Sequence, residues 1–237
     1  MSSFTVSSGV TSSGLTLSGT DIGTVLNGGT ATAITMLSGG AETVSLGGLD
    51  TNATISSGGS QTVSGGAIVR GAVLSGGTQT ILSGGLVSGT TVSNGGQQVL
   101  SFGALVSLTT VSSGGVLTVA GGNEVLAVIS SGGIETILAG GGDGNAIVLS
   151  GGSQTILGSA LFGTVAGGSQ VVSSGGTASN QFINNGGVAT VSSGGRELAA
   201  NVGSGGTLNV LSGGSASGTI LTGIVGVSSK STLAKSS

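Results

Sequence analysis

Paired glycines recur along this chain with a rhythm too regular for a linker. Taking the first of each pair, they fall at Gly28, Gly39, Gly47, Gly58, Gly65, Gly76, Gly84 and Gly95. After Gly103, where the pair is Gly-Ala, they continue at Gly114, Gly121, Gly132, Gly140 and Gly151. Beyond Gly158 (Gly-Ser) come Gly167, Gly175, Gly186, Gly194, Gly205 and Gly213. The spacing alternates between 11 residues and 7 or 8, with one gap of 9 before Gly167. A unit of 18–19 residues is therefore repeated about ten times. Such a unit is too short to bury its own apolar side chains, so stacked neighbours must supply the core.

Each gap carries a short strand pattern. The short gap reads Gly-Gly-x-(Gln/Glu)-Thr-(Val/Ile), as at Gln61-Thr62-Val63, Gln79-Thr80-Ile81 and Gln154-Thr155-Ile156. β-Branched residues in short runs bounded by Gly and Ser favour strands, and no segment has comparable helical spacing. The fifth residue after the first glycine of each short gap is Val44, Val63, Ile81, Leu100, Val119, Ile137, Ile156, Val172, Val191 or Val210. The third residue before the next pair is Met36, Ile55, Val73, Val92, Val111, Ile129, Val148, Ile183 or Val202, with Thr164 the exception. Both columns are expected to point inward, with the threonines between them outward, because side chains alternate faces along a strand. The reading is an all-β parallel β-helix (β-solenoid). It has about 10–11 coils of 18–19 residues and two main strands per coil, with glycine pairs at the bends. A right-handed coil is favoured, as parallel crossovers almost always are.

Residues 1–20, with single glycines, read as an N-terminal cap or first coil, residues 21–214 as the repeat domain, and 215–237 as a last coil and tail or linker. Residues 1–5 lack the charged start and apolar run of a secretory leader, so export is expected by another route or after removal of a leader.

Composition narrows the function. The four aromatics, all Phe, are too few for an ordinary globular core, and Pro, Cys and His are absent. Without Cys there is no disulfide or thiolate metal site. Four basic residues cannot form a nucleic-acid surface, and no apolar run is long enough to span a bilayer. With neither His nor Cys, and seven scattered carboxylates, catalysis has little material. Stacking would bring Glu124 near Asp143, a weak basis for a glycosidase. No enzyme activity, cofactor or metal site is expected. Asp143, in a Gly-Asp-Gly-Asn run, resembles one fragment of a calcium repeat, but reads better as a surface turn.

The motif Gly-Gly-x-(Gln/Glu)-Thr-Val-x-x-Gly-Gly followed by an 11-residue gap, recurring over about residues 20–214, resembles the passenger repeats of AIDA-type autotransporter adhesins, also described as strand-loop-strand passenger repeats. The resemblance implies a secreted or cell-surface β-helical stalk acting in adhesion, aggregation or biofilm. Its partners would be host or bacterial surfaces, or further copies of itself. It also implies, in members with a partner glycosyltransferase, O-linked heptose on repeat Ser and Thr. The acceptors expected on that basis are Thr43, Thr62, Thr80, Thr118, Thr136, Thr155 and Thr190. The C-terminal membrane barrel of such proteins has no counterpart in these residues. An ice-binding solenoid and a self-assembling amyloid subunit are the alternatives. The Gln/Glu column (Glu42, Gln61, Gln79, Gln98, Glu135, Gln154, Gln170) reads as an amide ladder between coils. It shares the parity of the inward valines, which suggests a place beside a corner.

Overall fold

A computed structural model describes residues 3–222 and the backbone of Thr232–Ala234. The first coil contains β1 (Ser3–Val6), β2 (Thr11–Ser13) and β3 (Thr16–Leu17). The next contains β4 (Ile22–Val25), β5 (Thr30–Thr32) and β6 (Thr35–Met36). Each strand pairs in parallel with its counterpart one coil on: Val6 with Val25, Ser12 with Ala31, Leu17 with Met36. The pattern continues to give three parallel sheets of 12, 13 and 12 strands. The extra strand of the second sheet, Thr232–Ala234, pairs with Ser215–Ser217. The described chain is thus a β-solenoid of twelve coils without a helix, roughly 50–60 Å long at the usual strand spacing. Residues 223–231 and 235–237, part of the expected last coil and tail, lie outside the described residues.

Each coil has three strands rather than two. The expected long second strand is broken by a corner that the glycine rhythm does not mark. That corner takes a left-handed residue which is Gly71 or Gly89 in some coils but Ala33, Asn52, Leu126 or Phe162 in others. Coils also number twelve rather than 10–11, because Ser3–Leu17 stack in the same register as the rest, and so do Thr207–Leu221.

The glycine pairs do two separate jobs. Gly186 sits at φ +84°, a conformation that a side chain disfavours. Its partner Gly187 has no such backbone need, but a Cβ there would lie 2.0 Å from the carbonyl oxygen of Val165 in the coil before. One glycine turns the chain and the next lets it pass close under its neighbour. The corners are themselves laddered: Gly28 N donates to Gly47 O, and Gly47 N to Gly66 O, both at 3.0 Å.

Both apolar columns face inward, with two slips of register. Val73 is exposed, and Leu74 takes the inward place opposite Ile55 and Val92. The left-handed corner there is Gly66 rather than Gly65, and Ser75-Gly76 is one residue shorter than Ser56-Ser57-Gly58. The same shortening before Gly167 puts Val165 inside between Val148 and Ile183, so Thr164 faces out and the column is unbroken. Each fully buried Val or Ile contributes about 1.5–3 kcal/mol.

Gly187→Ala is expected to destabilise by about 1–3 kcal/mol, the usual cost of forcing atoms into a filled space. Gly144→Ala, where a Cβ meets nothing closer than 4.0 Å, should leave stability nearly unchanged. Thermal melts of the two variants check the contrast.

Candidate functional site: a buried acid and amide spine behind a threonine face

The Gln/Glu column does not sit beside a corner. Strict alternation holds, and Glu42, Gln61, Gln79, Gln98, Glu135, Gln154 and Gln170 are all buried inside the coil. A second polar column faces them from the second sheet, where Asp50, Glu124, Asp143 and Glu197 occupy inward positions that are apolar in other coils. Asp143 is therefore not a surface turn. It is the inward residue of the strand Gly142–Gly144, whose flanking glycines are strand positions. The carboxylates that look scattered in the sequence are gathered in the core, because six of the seven occupy inward columns.

Hydrogen bonds join these groups into two one-way runs. In the first, Gln61 Nε2 donates to Glu42 Oε2 (2.8 Å) and to Asp50 Oδ2. Gln79 Nε2 then donates to Gln61 Oε1, and Gln98 Nε2 to Gln79 Oε1, each at 2.7 Å. Thr109 closes the run, its hydroxyl donating to Gln98 Oε1 (3.2 Å) and its amide to Glu124 Oε1 (3.3 Å). The second run repeats the design. Gln154 Nε2 donates to Glu135 Oε2 and Asp143 Oδ2, both at 2.8 Å, and Gln170 Nε2 donates to Gln154 Oε1. Leu117 separates the runs.

Each run starts on a pair of carboxyls for a simple reason. Every glutamine gives its NH2 to the coil before, so the first member has nothing to donate to: Gly23 lies under Glu42 and Leu117 under Glu135. A carboxyl there accepts without leaving an NH2 orphaned.

Burial sets the charge state of these groups. Desolvation raises Glu42 to about 8, and the Asp50 charge beside it pushes the same way. Asp50 rises only to about 6, since Gln61 and Glu42 hydrogen-bond its charged form. Glu124 rises to about 8 and Asp143 to about 7, and Glu135 goes well up, through burial and then the nearby Asp143. Glu197 rises to about 8 through burial alone, and neither of its oxygens has a hydrogen-bond partner. Glu124 and Asp143 are direct register partners, and both side chains are buried on the inner side of the second sheet. The arrangement holds coils in register.

Outside the first sheet run the predicted acceptor threonines. Thr43, Thr62 and Thr80 form one stack and Thr118, Thr136 and Thr155 another, separated by Val99. Thr190 stands apart beyond Val171. All seven are half-buried by their neighbours in the coils above and below.

The solved structure titled "Crystal structure of TibC-catalyzed hyper-glycosylated TibA55-350 fragment" resembles this fold at a TM-score of 0.77. The two are 33% identical, over 97% of this chain and 93% of that one. This chain belongs to the adhesin passenger-repeat family of TibA. No family model matches the chain, nor does any curated protein. As in the passenger-repeat reading from sequence, the fold is a non-globular all-β rod. Among the described residues, no helix is long and apolar enough to cross a membrane.

The passenger repeat's interior polar residues were only partly visible in sequence. Asp50, Glu197 and Gln181 went unnoticed. An offset of 11 residues links Asp50 to Gln61, Gln98 to Thr109, Asp143 to Gln154 and Gln170 to Gln181, and that recurrence is the signal that finds Asp50 and Gln181; Glu197 has no partner at that offset.

Two measurements test the raised carboxyls of the spine. A carboxyl whose folded pKa is raised binds more protons folded than unfolded, so its stabilising contribution is complete below its ordinary value of 4.5 and is lost as pH climbs towards 8. The melting temperature should therefore fall between pH 5 and pH 9. Glu197→Gln should remove part of that fall, stabilising the protein at pH 9 by on the order of a few kcal/mol and changing little at pH 5. Native isoelectric focusing should give a value well above the sequence pI of 4.4, with 4.4 restored in urea.

Proposed function

We propose that this chain is a non-catalytic, extracellular adhesin passenger module: a stiff stalk at the cell surface whose outer faces meet host or bacterial surfaces, or further copies of itself, in adhesion or biofilm. The observation that carries this reading is the 33% identity, over nearly the whole chain, to a passenger fragment that is hyper-glycosylated by TibC. The physical design supports it. Three continuous ladders and a filled core make a rod whose length grows by one strand spacing per coil, and its outer positions are free to vary.

A glycosyltransferase is the expected partner, with O-glycans on the outward threonines Thr43, Thr62, Thr80, Thr118, Thr136, Thr155 and Thr190. Their hydroxyls lie on the solvent side of the first sheet, and register stacking offers an enzyme the same acceptor geometry coil after coil. The ice-binding alternative gains less support, since a flat threonine array is interrupted by Val99 and Val171.

Co-expression with a heptosyltransferase of this adhesin type should add sugar masses to the intact chain. Peptide mapping should place them on the threonine column, with loss at Thr62→Val and Thr80→Val. Sugars confined to turn serines would refute the threonine assignment. Cells displaying the chain should adhere or clump more than cells displaying an unrelated solenoid; no difference would refute the adhesin reading.

A further inference from the structure

The outer face of the second sheet carries features that a plain stalk does not need. Both arginines of the protein, Arg70 and Arg196, project from it and are exposed. No carboxylate opposes them there, because Asp50, Glu124, Asp143 and Glu197 of the same sheet all point inward. A groove of about 390 Å³ runs along the rod between two side-chain columns. One wall is Ile68, Leu86 and Leu105; the other is Arg70, Ser88, Ser107 and Val125, in direct register. The groove is continuous at Asn123 and Val125 with a notch of about 230 Å³. The notch floor is the strand Gly142–Gly144, where two outward side chains are missing; Val125 and Leu161 stand on either side, and Glu124 and Asp143, whose carboxyls are buried and raised, complete its lining from beneath. Those walls are two strand spacings apart, about 9.5 Å between backbones, enough for one six-membered ring edge-in between side chains.

The corner beside the notch is built at a conformational cost. Leu126 and Phe162, which follow the notch residues Val125 and Leu161, are left-handed at φ 66° and 57° and about half exposed, as Leu108 is one coil earlier; the coil between Leu126 and Phe162 uses Asn145. Bulky residues in that region cost of order 1–2 kcal/mol each and persist where a site selects for them.

We propose that this groove binds a linear acidic oligosaccharide lying along the rod axis, one carboxylate paired with Arg70 and a terminal ring in the glycine notch. The ligand class follows from the lining. The aliphatic wall of Ile68, Leu86 and Leu105 suits the C–H faces of sugar rings. Ser88, Ser107, Asn123 and Ser159 offer neutral hydrogen-bonding groups, and the single cation, free of any ion pair with a described residue, suits a carboxylate fork. From Arg70 to Leu161 the groove spans five coil spacings, about 24 Å, and an extended glycan advances by close to one coil spacing per sugar. The proposal deepens the adhesin reading by naming what the surface holds.

Calorimetric titration of the full chain with hexameric oligogalacturonate, the neutral cello-hexaose and digalacturonate tests it. Binding should be strongest for the acidic hexamer and weaken with salt. Arg70→Ala should weaken it about tenfold or more, the loss of a charge-assisted hydrogen bond. Gly144→Val should block the notch, its Cβ having room to fold. Thr80→Val on the first sheet should change nothing. No binding of the acidic hexamer, equal binding of the neutral one, or unchanged binding by both Arg70→Ala and Gly144→Val with circular dichroism intact would overturn the proposal. Failure here with cell adhesion retained removes the glycan ligand and leaves the adhesin reading standing.

Discussion

Parallel hydrogen bonding fixes the distance between coils, and that spacing governs everything else in the molecule. A side chain in this rod meets its own equivalents above and below at close to 4.8 Å, whatever its chemistry. Aliphatics stack well under that rule, and so do amides, each donating to the next. Carboxylates do not, since like charges so close cannot both ionise at low cost in a dry interior. The spine obeys this constraint except at Glu124 and Asp143, which stack one coil apart and where the Asp143 charge helps to raise Glu124. Glutamine occupies the middle of each run, and acids appear at the starts, paired across sheets as Glu42 with Asp50 and Glu135 with Asp143 about the amides of Gln61 and Gln154.

The same spacing accounts for the second glycine of each pair. At the corners a Cβ on the second glycine would point straight at a backbone carbonyl of the preceding coil, with no room for it. A glycine needed for space and a glycine needed for φ then sit side by side. That juxtaposition is why the repeat can be seen in the sequence at all.

Legibility followed from this. The two inward columns of the first and third sheets were readable because glycine pairs flank them at fixed distance. The second sheet was not, since its far corner tolerates Ala33, Leu126 or Phe162 as well as glycine, and the short strand before it merged with the next. Val73 was assigned inward because counting back from Gly76 ignores a residue lost at the bend, which only backbone register reveals. Asp143 was misread for a related reason. Glycines beside an acid usually mean a turn, but in Gly142–Gly144 they are outward strand positions left bare. The family resemblance was legible from the repeat alone, whereas the second polar column and the groove needed three sheets in place.

Placing acids inside and bases outside changes what the rod presents to its surroundings. The formal charge of −3 describes the unfolded chain. In the folded one, Glu42, Glu124 and Glu197, lifted by burial to about 8, hold their protons at neutral pH, while Arg70 and Arg196 stay in water on one face. A surface that would be mildly acidic by composition becomes weakly basic along the second sheet. Among the described residues, Asp21 is the one carboxylate outside the inward columns. A rod of this kind repels acidic surfaces less than its sequence implies, and among the described residues its cations gather on the face with the groove.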